Sequence, residues 1–279
     1  MAGAGLAASA GAARARPPSL NLSGRYQQSG FALGVTAPRA GVLVDSQPVV
    51  TTSTGGYFIV GFDRDAPAQT AITIQNGDGT AVHDLPIAPG TYDIQRIDGL
   101  PQDTVTPTDP ALLERIAAEA KRKAIGFSSN IDADYFKDGF ILPVQATRIS
   151  GSFGGQRILN GVPSTPHYGY DMAAPVGTPI SAPGAGVVSF AETGLHFEGG
   201  LVMIDHGQGL VSCYLHMSKV DVVTNQRVAQ GEHIGLVGQE GRATGSHLCW
   251  RMKWRGRNLD PSLLVGAKAP AIAQPPSHS

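Results

Sequence analysis

The sequence predicts a mainly β chain: a small N-terminal β-sandwich, a short helical connector and a C-terminal antiparallel β-sheet domain. Three observations carry this expectation. Of 279 residues, 36 are glycine, 20 are proline and only 15% are charged, which favours short strands and many turns over long helices. Short apolar or β-branched runs recur between turn signals along most of the chain. A single stretch carries both the start and the stop signals of a helix.

The elements follow in order. Residues 1–19 read as a residual export signal or a disordered leader, because residues 2–15 are almost entirely Ala and Gly, with small-x-small options at Ala10-Gly11-Ala12 and Ala13-Arg14-Ala15. Export is the expectation, to the periplasm or alternatively to the medium, although the basic start and strong apolar core of a signal peptide are missing. Residues 20–100 are expected to form the sandwich, with strands at Phe31 to Val35, Gly41 to Val44, Tyr57 to Val60, Ala71 to Ile74 and Tyr92 to Ile97. Turn signals such as Gly55-Gly56 and Asn76-Gly77-Asp78-Gly79 separate these runs. The aromatics Tyr26, Phe31, Tyr57, Phe58, Phe62 and Tyr92 are scattered and build no platform for binding a glycan.

In the connector, residues 101–150, Asp109 is the expected N-cap and Pro110 the first residue of a helix over Ala111 to Ile125. Lys121, Arg122 and Lys123 complement its dipole as a solvated face, and Gly126 is expected to stop it. Residues 151–266 are dense in strand signals: Gly184 to Phe190, Leu201 to Ile204, Leu210 to Leu215, Val228, Ile234 to Val237 and Leu248 to Trp254. Residues 267–279 read as a disordered tail. With 21 basic and 22 acidic residues the formal net charge is -1, which leaves no electrostatic footprint for nucleic acid or an anionic membrane surface. No run is long and apolar enough to span a bilayer, and a soluble monomer is expected.

The chemistry lies in the last half. His167-Tyr168-Gly169-Tyr170-Asp171, Tyr214-Leu215-His216 and Gly245-Ser246-His247-Leu248-Cys249 place imidazoles, a carboxylate and a thiol in Gly-rich strand sequence. This pattern suggests one zinc site assembled from several strands, with a nearby base for the water that the metal activates. Elsewhere the bland readings prevail. His83 is expected at the surface, His206 in a turn with backbone hydrogen bonds, and His196 and His233 exposed, with His196 the reserve ligand.

Over about 110 residues the order of motifs resembles the M23 family of zinc metallopeptidases, the lysostaphin-like or LytM-type endopeptidases that cut peptidoglycan. The motifs are His167-x-x-x-Asp171, Ala182-Pro183-Gly184-Ala185-Gly186-Val187-Val188, Ile204-Asp205-His206-Gly207, Tyr214-x-His216, Gly231-Glu232-His233-Ile234-Gly235, Gly245-Ser246-His247-x-Cys249 and Asp260-Pro261. The resemblance implies one Zn2+ per chain with ligands at His167, Asp171 and the position of Cys249, where the family has a histidine. It implies that His216 and His247 act as base or as stabilisers of the charge developing on the scissile carbonyl. Tyr214 is expected on the strand face of His216, where it can hydrogen-bond the substrate or simply pack. Alternation along the same strands places Cys213 on the opposite face from Cys249, so the two thiols are expected to point apart, with Cys213 a buried free thiol.

With a Cys249 thiolate beside His167 and Asp171 the zinc site is neutral, whereas a histidine in that place would leave it cationic, and the loss of that charge weakens the metal as a Lewis acid. The expected function is zinc-dependent hydrolysis of the peptide cross-links of bacterial peptidoglycan. The alternative is a weakened or inactive relative that regulates or recruits another cell-wall hydrolase.

Overall fold

Strand pairing, almost all of it antiparallel, organises the computed structural model, which describes residues 18–97 and 109–271. The mainly β class expected from composition and patterning is what the chain adopts. Asn21–Arg25, Phe31–Val35 and Tyr57–Gly61 pair as a three-stranded sheet, and Gln47–Thr51, Gly41–Val44, Gln69–Asn76 and Gly79–Pro86 as a four-stranded one. The Asn76-Gly77-Asp78-Gly79 signal closes a hairpin: Asn76 Oδ1 accepts from the backbone N–H of Asp78 at 2.9 Å and of Gly79 at 3.1 Å. Phe31, Phe58, Ile59, Ile72 and Ile74 are completely buried, and each is worth roughly 2–3 kcal/mol in removed apolar surface.

One run expected in the sandwich lies elsewhere. Ile94–Ile97 pairs in parallel with Gln156–Leu159, which also pairs with Val162–Pro163, so a small third sheet ties the two halves together. A short apolar run announces a strand but not its partner. The halves also share one hydrophobic core. A Cβ on Gly61 would sit 2.8 Å from the Leu259 side chain, and Gln208 donates to Tyr57 O at 2.9 Å while accepting from Ile59 N at 3.3 Å.

The large sheet runs through Arg227–Val228, Gly186–Leu195, Gly199–Asp205, Leu210–Val220, His247–Trp254, Tyr170–Ala173 and Arg148–Gly151 in spatial order. Its middle strands are buried on both faces, which explains why Leu210 to Leu215 does not alternate between apolar and charged residues. Against this sheet packs the connector helix Pro110–Phe127, with Asp109 capping through Ala111 N at 3.1 Å. Gly126 does not stop the helix. It lies within the last turn because a Cβ there would meet Phe190 Cβ at 2.8 Å and Met203 Sδ at 2.9 Å. Nor are the helix charges merely a solvated face: Arg122 pairs with Glu192 at 3.0 Å, and Lys123 with Glu198 at 2.6 Å. The buried Glu119 accepts from His196 N at 2.9 Å.

The leader expected over 1–19 falls almost wholly outside the described residues, as does the tail beyond 271. The first residues of that tail are ordered: Ala269 N donates to Lys137 O at 2.9 Å, and Ser23 Oγ donates to Lys268 O at 3.1 Å. Among the described residues no helix is long and apolar enough to cross a membrane.

His206 is the structural residue that its turn position suggested. Its Nδ1 donates to Ala185 O at 2.7 Å, its Nε2 meets Ser212 Oγ at 2.7 Å, and the Phe140 ring packs edge-on against it. Burial pushes its pKa down to about 4, against 6.5 for an unfolded imidazole. The unfolded chain therefore binds this proton more readily, so the contribution to stability is complete above about pH 6.5 and is lost as pH falls toward 4. Up to about 3 kcal/mol is at stake. Urea midpoints measured between pH 7 and 4.5 should fall more steeply for wild type than for His206→Gln.

Candidate metal centre

Strand register builds the site. Tyr170–Ala173 lies antiparallel to His247–Trp254 with Asp171 opposite Cys249 and Ala173 opposite His247. His167 precedes the first of these strands in a loop pinned on both sides, since its N–H donates to Gly155 O at 2.8 Å and its carbonyl accepts from Gly154 N at 2.7 Å. His167, Asp171 and Cys249 converge, their ligand atoms all within 4.8 Å of one another. His167 Nε2 is 3.3 Å from Asp171 Oδ1 and 3.6 Å from Cys249 Sγ. Two glycines make the approach possible: a Cβ on Gly169 would lie 2.5 Å from Cys249 Sγ, and one on Gly151 would lie 2.6 Å from Asp171 Oδ2.

The second pair of histidines stands beside this cluster. The rings of His216 and His247 are 4.8 Å apart, and His247 Nε2 is 3.8 Å from Asp171 Oδ1. Backbone carbonyls fix the tautomers. His216 Nδ1 donates to Glu240 O at 2.8 Å and His247 Nδ1 to Gly245 O at 2.8 Å, while His167 Nδ1 lies 3.4 Å from Ser152 O. A carbonyl only accepts, so each Nδ1 carries the hydrogen and each Nε2 is left to face the site.

The electrostatics favour a cation between the three converging groups. Burial opposes charge on His167, yet the Asp171 carboxylate and the Cys249 sulphur outweigh it and lift its pKa to about 10. Burial likewise works against the Asp171 carboxylate, but His167 holds it below its usual range. Asp171 Oδ1 is buried with no well-directed hydrogen bond, and the ring nitrogens facing it are His167 Nε2 at 3.3 Å and His247 Nε2 at 3.8 Å. An imidazole, an orphaned carboxylate oxygen and a sulphur form a donor set that suits Zn2+. His216 is pushed down to about 4 by burial and by the nearby His247 and Arg251, which leaves a neutral imidazole with a free lone pair at physiological pH.

Tyr214 is not part of this site. It is completely buried opposite Trp250, its hydroxyl 2.6 Å from Ser212 Oγ in the chain that ends on His206. The residue on the site face is Leu215, opposite Cys249. Simple alternation fails at His216 because its φ is +66°, a left-handed turn held by donation from its N–H to Glu198 O at 2.7 Å. We expect Tyr214→Phe to change turnover by less than about twofold while lowering unfolding free energy by about 1 kcal/mol, read from denaturant curves.

The same register corrects the expected placement of the thiols. Cys213 and Cys249 lie on one face of the sheet, in one buried cluster with Leu215 and Phe190. Both are free. Cys213 is opposite Arg251 and Cys249 opposite Leu215, so the cysteines are diagonal neighbours, a spacing of about 7–8 Å that is too long for a disulfide. Burial pushes the Cys213 thiol up to about 12, so it stays protonated.

Sequence reading missed four contributors. Arg251 Nε donates to Cys249 Sγ at 3.4 Å, Arg242 and Arg157 line the cleft, and Glu240 orients His216 through a carbonyl that no residue type could announce. The alternation of His247, Cys249 and Arg251 along one strand face was the available signal for Arg251. His196 packs edge-on against Phe197 and His233 pairs with Asp221 at 2.9 Å, and neither joins the cluster.

A mainly β domain with a His/Asp/Cys cluster beside two oriented imidazoles has the makings of a metallohydrolase. Residues 165–261 match the model of peptidase family M23. It is 42% identical over 116 residues to the peptidoglycan DD-endopeptidase ShyA of Vibrio cholerae, covering 40% of this chain and 26% of that protein. It is 37% identical over 141 residues to the DD-carboxypeptidase/endopeptidase Mpg of Neisseria meningitidis, covering 50% of this chain and 32% of that one. The chain thus spans about a quarter to a third of the length of these relatives. A crystal structure of a putative M23 peptidase from Pseudomonas aeruginosa superposes with a TM-score of 0.67 at 27% identity, covering 87% of this chain and 96% of the other.

Proposed function

We propose that this chain is a zinc-dependent endopeptidase that hydrolyses peptide cross-links of bacterial peptidoglycan, acting after export, in the periplasm. The observation that carries the reading is the meeting of His167, Asp171 and Cys249 within 4.8 Å, beside His216 and His247 with their Nε2 atoms free. The relatives named as peptidoglycan endopeptidases support the substrate class. In this reading His167, Asp171 and Cys249 hold Zn2+, which when bound polarises the scissile carbonyl and acidifies water. His216, neutral and held by Glu240 O, takes a proton from the attacking water and passes it to the leaving amine. His247, held by Gly245 O, presents Nε2 to the site, and as the imidazolium it donates from there to the oxygen on which charge develops. Arg251 beside Cys249 Sγ supplies a positive charge that offsets the extra negative charge of a thiolate ligand.

The test is digestion of purified cross-linked muropeptides by wild type, His247→Ala and metal-stripped protein, followed by chromatography of the products. Wild type should yield monomers, and the other two should not. Dimers left intact by wild type with added zinc would replace this reading with that of a regulator or recruiter of another cell-wall hydrolase.

A further inference from the structure

Three guanidinium groups, those of Arg157, Arg242 and Arg251, line the cleft that contains His167, His216 and His247. The acids on its walls are Asp171, within the metal cluster, and Glu198, paired with Lys123 at 2.6 Å. Arg251 is engaged by Cys249. Arg242 is different. Its guanidinium stacks over the Phe197 ring at 4.7 Å, and no ion pair to a carboxylate is found for it among the described residues. Burial lowers its pKa, and the repulsion of Arg251 and Arg157 adds to this while the nearby Glu198 carboxylate partly offsets it.

The loop that carries Arg242 is fixed in place. Arg242 N donates to Phe197 O at 2.9 Å. Gly241, at φ +69°, would place a Cβ 2.5 Å from Phe197 O, and Gly199, at φ +64°, would place one 2.1 Å from Glu240 Cβ. Only glycines let these two loops dock so closely. The same docking delivers the Glu240 carbonyl that holds His216. Arg242 is therefore held two residues from the group that orients the proposed base, on the wall of the same cleft.

The geometry points to Arg242 as a specificity-determining residue that binds a free carboxylate beside the scissile amide of the substrate, with Arg157 adding to the local positive potential. This rests on the endopeptidase reading of the site and names the substrate chemistry it selects. A planar guanidinium with its fork unused matches a carboxylate through two parallel hydrogen bonds, whereas a carboxamide brings no charge and competing donors of its own.

The experiment compares two cross-linked muropeptide dimers, identical except that the carboxylate beside the scissile amide is free in one and amidated in the other. Wild type should favour the free acid by about tenfold or more in kcat/KM. Arg242→Gln should remove the preference by slowing the free acid alone, and Arg242→Lys should restore part of it. Equal slowing of both dimers by Arg242→Gln, or no preference in wild type, would overturn the assignment. A binding arm separates this from the parent reading. Calorimetric titration of both dimers into His247→Ala protein should show tighter binding of the free acid, lost in His247→Ala/Arg242→Gln. If wild type cuts neither dimer, the endopeptidase reading fails, and the binding preference, present or absent, still decides the role of Arg242.

Discussion

Purified Cys249→Ala protein is expected to hold far less than the zinc of wild type, which should carry about one ion per chain, with affinity lower by at least about a hundredfold. The reason is geometric: the sulphur is one of three atoms converging within 4.8 Å, and alanine leaves His167 and Asp171 as a two-donor site. Cys213→Ala is the control, because that thiol is buried on the same sheet face but outside the cluster, and its metal content should match wild type. Elemental analysis after gel filtration reads both. Equal zinc in Cys249→Ala and wild type would remove Cys249 from the site. Arg251→Leu should keep the metal but bind it more weakly, since the guanidinium that faces the sulphur is then gone.

The second large effect concerns the paired imidazoles. His216→Ala and His247→Ala should each lower kcat by about 10²–10⁴ while retaining wild-type zinc, the signature of groups that act on the reaction and not on the metal. The sign of the pH dependence follows from His216. With its pKa held at about 4, it is neutral, and competent as a base, well below the ordinary imidazole range. The acid limb of the kcat/KM profile that belongs to this group should therefore lie nearer pH 4 than 6.5. A Glu240→Ala change should leave this limb in place, because Glu240 holds His216 through its backbone carbonyl. A Gly241→Val change, which displaces the loop carrying that carbonyl, should reduce turnover without loss of zinc.

Much of the site was legible because residue type and order survive folding. His167, Asp171 and Cys249 were singled out from ligand chemistry and motif order, and they meet in space. His216 and His247 were paired in the same way and stack 4.8 Å apart. Tyr214 was misplaced because the inference assumed unbroken alternation, and the left-handed φ of His216 interrupts it. The same assumption separated Cys213 from Cys249, which in fact share a face. Gly126 was read by its propensity to end helices, whereas its lack of a side chain is used to bring the helix against Phe190 and Met203. The run Ile94–Ile97 was recognised as a strand but assigned to a neighbour it does not have.

By itself the sequence determined which ligand-type residues converge, the mainly β class and the capped helix, because these depend on local residue type, order and spacing. Tertiary structure alone decided which strand faces which, since register depends on partners far away in the chain and on single backbone dihedrals. It also decided the second layer of the site: Arg251 against the sulphur, the Glu240 and Gly245 carbonyls on the histidines, and Arg242 with its charge unspent. Backbone carbonyls are present at every residue, so only the fold can say which of them orient a catalytic group.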